Sequence, residues 1–455
     1  MDSDRSDFSK GSIYAHILQL AIPMTIAQLV QMLYSVVDRI YIGHLEGASA
    51  MALTGLGLTF PIISLTAAFT NLFSAGGAPL SAISRGAGNK EEADRIMGNT
   101  FSMLLISSLL LMAIFYSLMR PLLFLFGASE ATYPYARSYL SIYLIGTPFV
   151  MAGTGMNAFI NAEGFGKTGM FTILLGAVTN IILDPIFIFA FGMGIAGAAI
   201  ASVISQILST AFVISFLTGK RTIMRLRPEI MRLDAGIVRK ITGLGLAGFI
   251  MQASNGAVQV ACTSTLRLFG SDIYVGIMTV LNSIRDMVAL PAQGITDAAK
   301  PVIGYNYGAR EYGRIKKAIR FITAISVAYM VISWLMLLLF PHGFIQIFSS
   351  DEELLAKGVG ALHLYFFGFF MMALQFCGQT VFVGLGKSRQ AIFFSLFRKI
   401  VIVVPLTLLL PRLGFGINGV FIAEPISNFI GGTACFVTML IYSSRLFRKE
   451  EAAAR

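Results

Sequence analysis

The stretch Gly176–Gln206 reads GAVTNIILDPIFIFAFGMGIAGAAIASVISQ and indicates the fold class. It contains the end of one apolar helix, a short Gly-containing turn and the start of a second apolar helix. Asn180 and Asp184 lie four residues apart in the first run and therefore share one helix face. A carboxylate in hydrocarbon costs at least about 2.5 kcal/mol, so Asp184 is a candidate functional residue. The alternative is a buried Asp bonded to neighbouring backbone groups.

The composition is that of an integral membrane protein. Hydrophobic residues make up 56% of the 455 residues and charged residues 13%, against about 25% charged in soluble domains. The first residues, MDSDRSDFSK, lack the basic start of a signal peptide, so we expect no processing. Cys262, Cys377 and Cys435 show no metal or disulfide spacing, and we expect no cofactor.

Twelve apolar segments are long enough to cross a bilayer, for which about 20 residues suffice. They predict an all-α integral membrane protein with twelve transmembrane helices. The segments are 17–42, 52–80, 97–119, 137–161, 168–191, 194–217, 237–266, 273–299, 317–340, 358–382, 390–411 and 416–443.

The chain repeats itself at offsets of 220 to 222 residues. RGAGNKE at 85–91 matches YNYGARE at 305–311, and GFGK at 164–167 matches GLGK at 384–387. Two halves of six spans have the same orientation, which predicts two six-helix lobes related by a pseudo-two-fold axis along the membrane normal. The predicted domains are the N-terminal lobe at 1–218, a basic cytoplasmic linker at 219–236, and the C-terminal lobe with a short cytoplasmic tail at 237–455.

The basic residues predict the orientation. The face with the termini and the even-numbered loops carries 26 of the 34 Lys and Arg residues, and the opposite face carries 5. This bias predicts a multi-pass protein of the plasma membrane with both termini in the cytoplasm. The net charge of +11 then reflects topology and contacts with lipid headgroups, not a nucleic-acid surface.

The first lobe contains a candidate ion-coupling site. At about 1.5 Å per residue, Asp38 lies about 30 Å along span one, Asp184 about 24 Å along span five and Ser202 about 12 Å down span six. Asp38, Asn180, Asp184 and Ser202 can therefore share one depth in the outer half of the lobe. Two carboxylates can share a proton, or Asp38, Asn180 and Asp184 can ligate Na+ through their oxygens. Alternatively, Arg39 neutralises Asp38.

The internal repeat argues that ion coupling lies in the first lobe only. Asp38 corresponds to Cys262 and Asp184 to Val404, so the second lobe has lost both carboxylates. If symmetry alone explained the two acidic residues, we would expect polar partners.

Pro23 interrupts span one and is a candidate hinge, although a static kink explains it equally well. Asp297 and Lys300 are expected to form an ion pair at the inner edge. Asp286 and Glu424 are candidates for attracting cationic substrates. The full set of candidate substrate-cavity residues is Gln31, Tyr34, Gln252, Asn255, Asp286 and Glu424.

The sequence motifs do not support an enzymatic function. Gly166-Lys167-Thr168 superficially matches a phosphate loop, but it lacks the earlier glycine and the strand–helix context. The four histidines are scattered and form no metal motif.

Several motifs together resemble the multidrug and toxic compound extrusion (MATE) family. They are LAIP at 20–23 with Asp38 in the same span, the two loops ending at Lys167 and Lys387, and Asn180-x-x-x-Asp184-Pro followed by GMGIAGAAIAS. The stretch PVIGYNYGA at 301–309 is similar to the branch called MepA-like. The resemblance implies a V-shaped bundle that exports organic cations in exchange for H+ or Na+. It also implies a first-lobe ion site at Asp38, Asn180, Asp184 and Ser202.

The resulting interpretation is a secondary-active, alternating-access exporter, monomeric in the bilayer, for small cationic amphipathic substrates. One alternative is a lipid-linked precursor flippase of the same superfamily. A flippase needs a basic cavity, for which the sequence offers few candidates, Arg39, Arg267 and Arg285. A passive channel is a second alternative.

Overall fold

The computed structural model describes residues 7–43, 49–348 and 351–453, without the side chains of residues 35, 39, 43, 49, 50, 272 and 453. The first half of the described chain forms helices joined by short turns. These are α1 Ile13–Gly43, α2 Ser49–Gly86, α3 Lys90–Ser117, α4 Met119–Leu125, α5 Tyr133–Ala162, α6 Gly166–Pro185 and α7 Gly194–Thr218. A π-helical turn at Ile186–Ala190 extends α6, and a 3-10 turn at Pro228–Met231 lies in the linker.

The second half is also helical but more often interrupted. Its α-helices are α8 Ala235–Phe269, α9 Asp272–Gly308, α10 Tyr312–Leu339, α11 Pro341–Gln346, α12 Glu352–Tyr365, α13 Met372–Gly384, α14 Ser388–Leu396, α15 Val404–Leu409, α16 Asn418–Ser427 and α17 Thr433–Ala453. Between them lie π-helical turns at Phe397–Val403 and Asn428–Gly432 and 3-10 turns at Phe369–Met371 and Leu410–Leu413.

The predicted spans correspond to these helices. Among the described residues, ten helices are long and apolar enough to cross a membrane, or eleven if α12 and the segment Phe369–Gly384, bent by 46°, form one span. The bend lies at Gly368, whose φ of 73° favours glycine. The predicted seventh span is α8, which is less apolar than the other spans because the polar residues Gln252, Asn255 and Gln259 lie in its middle.

Contacts within the chain define two compact units. The first unit contains Ile22–Gly245, and the second contains Phe8–Ala21 with Leu246–Arg455. The predicted linker groups with the first unit because Ser102 Oγ donates to the Met231 carbonyl at 2.7 Å and the Asp234 amide donates to Asn99 Oδ1 at 2.7 Å.

The start of α1 groups with the second unit instead. Arg314 holds the preceding turn there, because its guanidinium donates to the carbonyls of Phe8 and Gly11, each at 2.8 Å. The unit boundaries therefore differ from the predicted domain boundaries at both ends of the first lobe.

The internal repeat recurs in the backbone of the two units. Turns with positive φ occur at Gly164, Gly192 and Gly194 and again, 222 residues later, at Gly386, Gly414 and Gly416. The positive φ of Gly88 likewise recurs 222 residues later at Arg310, whose φ is 60°. For Gly88 and Gly164 the backbone equivalence therefore lies two residues beyond the sequence match, which pairs them with Gly308 and Gly384.

Glycines on α5 set the position of α7 in the first unit. A Cβ on Gly153 would lie 2.3 Å from Thr210 Oγ1, and one on Gly146 would lie 2.9 Å from a Val203 methyl group. Small residues at such interfaces let helix backbones approach closely in a membrane. Thr210 Oγ1 also donates to the Phe149 carbonyl at 2.6 Å. This packing fixes which face of α7 is turned towards α5.

Candidate functional site

The two polar residues of α6 lie just before its proline. Asn180 is 1% exposed and Asp184 is 0% exposed. Asn180 Nδ2 donates to Asp184 Oδ1 at 3.2 Å, as expected for side chains one helical turn apart. α6 ends at Pro185 and continues as the π-helical turn. The Asp184 carboxylate thus bonds to a side-chain amide at the point where the regular helix ends.

Ser202 joins this pair from α7. Asn180 Nδ2 lies 3.3 Å from Ser202 Oγ, and Ser202 is 1% exposed. The two residues are 22 positions apart in sequence and meet because the turn at Gly192 and Gly194 folds α7 back onto α6. The amide of Asn180 therefore bridges a carboxylate and a hydroxyl group.

α1 contributes a polar stripe to the same region. Gln31, Tyr34 and Asp38 all line one cavity of the first unit, together with Asn180 and Ser202. Asp38 is 7% exposed and lines this cavity together with Asn180, whose amide bonds to Asp184. The four predicted ion-coupling residues are thus neighbours in the structure. The side chain of Arg39, the alternative partner of Asp38, lies outside the described residues.

The cavity has a volume of about 260 Å³ and a mixed lining. Phe60, Tyr139 and Tyr143 supply aromatic faces, and Ser205 and Gln206 supply further polar groups. Tyr139 and Tyr143 stack with ring centroids 5.8 Å apart. No sequence motif marks which faces of α2, α5 and α7 point inwards, so these lining residues were not predicted. Apolar walls with a few polar groups are typical of small-molecule sites.

Several buried oxygens in this region accept no hydrogen bond from the protein. Within the described residues they include Asp184 Oδ2, Asn180 Oδ1 and Gln206 Oε1. Buried acceptors without donors are costly, and a proton or a small cation would satisfy them. No group of three His, Cys, Asp or Glu side chains in the described chain is arranged to hold a metal ion.

The predicted substrate-cavity residues of the second unit have mixed positions. Asn255 and Glu424 line a small cavity of about 30 Å³, whereas Gln252 is not part of its lining. Asp286 is largely exposed and pairs with Arg285 at 2.8 Å. The predicted ion pair between Asp297 and Lys300 is present, with Lys300 Nζ 2.6 Å from Asp297 Oδ1.

Glu424 has partners that the sequence reasoning missed. Its Oε1 accepts from Lys399 Nζ at 2.9 Å and from Arg398 Nη1 at 3.2 Å, and all three side chains are at most 9% exposed. Arg398 and Lys399 lie inside the predicted span 390–411, about 15 Å beyond the start of α14 at Ser388, and no sequence motif marks them. The expectation that Glu424 attracts cations is therefore corrected, because two buried cations already offset its charge.

Comparison with known proteins adds independent findings. A family model described as MatE matches residues 23–186 and 248–409. The chain is 25% identical over 446 residues to the "Multidrug export protein MepA" of Staphylococcus haemolyticus strain JCSC1435, covering 96% of this chain and 95% of that protein. It is 22% identical to the protein of the same name from Staphylococcus aureus strain MSSA476, covering 96% of each chain.

Solved structures share the fold over nearly the whole chain. A crystal structure of MATE in the bent conformation matches with a TM-score of 0.92 at 24% identity, covering 98% of this chain and 99% of that one. An outward-facing multidrug resistance MATE transporter of the MOP superfamily matches with a TM-score of 0.91 at 24% identity, covering 97% and 98%. These structures have twelve helices in two lobes, which confirms the predicted fold class. Given the family match across both halves, the chain belongs to the MatE family of membrane transporters.

Proposed function

We propose that this protein exports small, cationic, amphipathic molecules across the plasma membrane in exchange for H+ or Na+. Family membership and the relatives named as multidrug export proteins support efflux of small molecules. The observation that carries the proposal is the pair of buried carboxylates, Asp38 and Asp184, beside a cavity lined by aromatic and polar groups.

The coupling ion binds in the first unit in this proposal. Asp38, Asn180, Asp184 and Ser202 form the site, and Asp184 Oδ2 and Asn180 Oδ1 are the buried acceptors that an ion would satisfy. A proton would be shared between the two carboxylates. Na+ would instead be ligated by the oxygens of Asp38, Asn180 and Asp184. Both ions fit these groups.

Substrate and ion compete for one region of the first unit. Gln31 and Tyr34 line the cavity on the same helix as Asp38, two turns and one turn before it, respectively. A cationic substrate would interact with the ionised carboxylates, and ion binding would remove that attraction. Ion entry from outside would then expel the substrate, and the inward-facing state would reload. This exchange is the alternating-access cycle that we propose, with the protein acting as a monomer and both termini cytoplasmic.

The flippase alternative is less favoured. The matched relatives are named as multidrug exporters. The buried basic side chains Arg398 and Lys399 pair with Glu424, and the cavity that Lys399 lines, at about 30 Å³, offers room for about two water molecules. A pyrophosphate head is larger than this space.

The test is transport of ethidium, a fluorescent amphipathic cation, in proteoliposomes. A pH gradient and a Na+ gradient are imposed separately on wild type, Asp184→Asn and the matched control Asp297→Asn. We expect one gradient to drive transport in wild type and in the control. Asp184→Asn should fall to the level of protein-free liposomes under the same gradient. Full gradient-driven transport by Asp184→Asn would overturn the assignment of Asp184 to the ion-coupling site. Wild-type transport without either gradient would indicate a passive channel.

A further inference from the structure

The second unit buries more positive than negative charge. Arg398 and Lys399 share the single carboxylate of Glu424, with N–O distances of 3.2 Å and 2.9 Å. Arg398 also donates to the neutral amide oxygen of Asn428. These side chains are at most 9% exposed, so solvent screens them little. One of the two cations therefore lacks a counter-charge in its immediate surroundings.

A third cationic side chain, that of Arg285, faces the same region and does not reduce the excess of positive charge. Arg285 lines the cavity of about 30 Å³ together with Lys399 and Glu424. Arg285 has its own carboxylate partner, Asp286, which is 66% exposed and not part of the lining. Within the described lining residues, Glu424 is the only acidic side chain facing two cationic ones. Buried charges are normally paired or neutralised, so a surplus cation beside a cavity is a candidate anion site.

A chain of hydrogen bonds through neutral side chains orients Arg285 in the cavity. Arg285 Nη1 donates to Tyr365 Oη at 3.0 Å, and Tyr365 donates to Asn282 Oδ1 at 3.0 Å. Asn282 Nδ2 in turn donates to Gln259 Oε1 at 2.9 Å. This chain fixes the Arg285 guanidinium at one wall of the cavity, and the bond to Glu424 fixes the Lys399 ammonium at another. The volume corresponds to about two water molecules, which suits a halide or a carboxylate group.

We propose that this cavity of the second unit, between Lys399, Arg285 and Glu424, binds a small monovalent anion, either a free halide or a carboxylate group. The anion supplies the counter-charge that Arg398 and Lys399 lack. The site is separate from the ion-coupling site of the first unit and has the opposite sign. A cationic substrate would be repelled from it.

Thermal unfolding of the purified protein in detergent tests the site without any transport assay. A thiol-reactive fluorophore reports unfolding, because all three cysteines are buried. Chloride, formate or acetate replaces gluconate, whose polyol chain exceeds the cavity, at constant cation concentration and ionic strength. We expect a saturable rise in melting temperature with at least one of the small anions. A response to chloride indicates a free inorganic anion, and a response to formate or acetate alone indicates a carboxylate group of a larger ligand.

Lys399→Met is the informative variant because it removes one charge and nearly preserves the volume. The remaining Arg398–Glu424 pair is then balanced, so we expect the half-saturating anion concentration to rise at least about tenfold. Lys316→Met, at an exposed ion pair with Glu451, should respond like wild type. If Lys399→Met does not fold, Arg285→Gln is judged by the same criterion. A wild-type melting temperature that does not depend on the small anions, or an unchanged response in the variant, would overturn the proposal.

Discussion

Asn180 Nδ2 lies 3.2 Å from Asp184 Oδ1 and 3.3 Å from Ser202 Oγ, so one amide group connects the carboxylate of α6 to α7. A hydrogen bond to a charged group contributes about 1.5–3 kcal/mol. The buried Asp184 carboxylate depends on this donor, because its other oxygen accepts no hydrogen bond from the protein. The relationship makes Asn180 the positioning residue of the candidate ion site.

We predict that Asn180→Leu lowers gradient-driven transport of ethidium by at least about tenfold, the equivalent of about 1.4 kcal/mol. The substitution keeps the volume and removes the donor to Asp184. Proteoliposome assays at varied ion concentration would also show a higher half-saturating concentration of the coupling ion.

Asn157→Leu is the matched control for this prediction. Asn157 is a buried amide of the same unit that bonds to the Gly169 carbonyl at 3.0 Å and to Thr172 Oγ1 at 2.6 Å. We expect it to lower thermal stability and to leave the ion dependence unchanged. If both variants shifted the ion dependence equally, Asn180 would have no special role.

Glu163 fastens the linker to the first unit. It is 0% exposed, and its carboxylate accepts from Thr222 Oγ1 at 2.8 Å, from the Ile223 amide at 2.9 Å and from the Met224 amide at 3.0 Å. Burial raises the pKa of Glu163, while these donors and Arg85 oppose the rise. The linker therefore lies against the end of α5.

We predict that Glu163→Ala destabilises this region by about 1–3 kcal/mol for each donor left without a partner. Limited trypsin digestion should then cleave faster within the linker, at Lys220, Arg221 or Arg225. The control is Glu229→Gln, an exposed linker residue, which should be cleaved at the wild-type rate. Equal cleavage of Glu163→Ala and wild type would contradict the assigned contact.

Asp234 gives a prediction about pH. Its Oδ1 accepts from the amides of Gly236 and Ile237 at 2.8 Å and 3.1 Å, and its Oδ2 lies 2.9 Å from Arg95 Nη2. The Ile237 and Gly236 amides, followed by Arg95 and Lys240, lower the pKa of this carboxyl. A lowered folded-state pKa contributes stability above the unfolded pKa, which is about 3.9 for Asp. That contribution is lost as the pH falls through the folded value.

We therefore expect the melting temperature of Asp234→Ala to lie below that of wild type. The difference should be constant between about pH 5 and pH 8, which is above the unfolded pKa of Asp. The difference should narrow below about pH 4. Melting temperatures in detergent across this pH range measure it. A difference in melting temperature that widens as the pH falls would contradict the lowered pKa of Asp234.

The proximity of Asn180, Asp184 and Ser202 could be predicted from the sequence because the signals are local. Asn180 and Asp184 share a helix face by spacing alone, and the depth of Ser202 follows from the helical rise and the short turn. Tyr139, Tyr143 and Gln206 could not be found in this way. Their orientation depends on the rotation of α5 and α7, which the glycine contacts of Gly146 and Gly153 set.

The charged cluster of the second unit, in contrast, could not be predicted from the sequence. Arg398 and Lys399 lie inside the predicted span 390–411, where no motif marks them as partners of an acidic residue. Glu424, 25 residues after Lys399, was predicted only to attract cationic substrates. The ion pairs form because the chain between them folds back, which brings α16 against the π-helical turn at Phe397–Val403. Sequence spacing does not contain that information.

Pro23 remains a predicted hinge, and the structure sharpens its test. α1 is continuous from Ile13 to Gly43, yet residues up to Ala21 pack with the second unit and those from Ile22 with the first. Pro23 lacks an amide hydrogen, so the Gln19 carbonyl has no helical donor there. A bend in α1 would meet the least resistance at this point. Pro23→Ala restores the donor, and we predict a turnover of ethidium at least about fivefold lower, equivalent to about 1 kcal/mol on the barrier.

The melting temperature of Pro23→Ala should be no lower than that of wild type, because the restored hydrogen bond favours the helix. Pro79→Ala is the matched control, since Pro79 is also buried inside a helix, α2, but away from the division between the units. It should keep wild-type turnover. A Pro23→Ala protein that transports at the wild-type rate would establish a static kink, because a helix with the bond restored would then bend as readily as the native one.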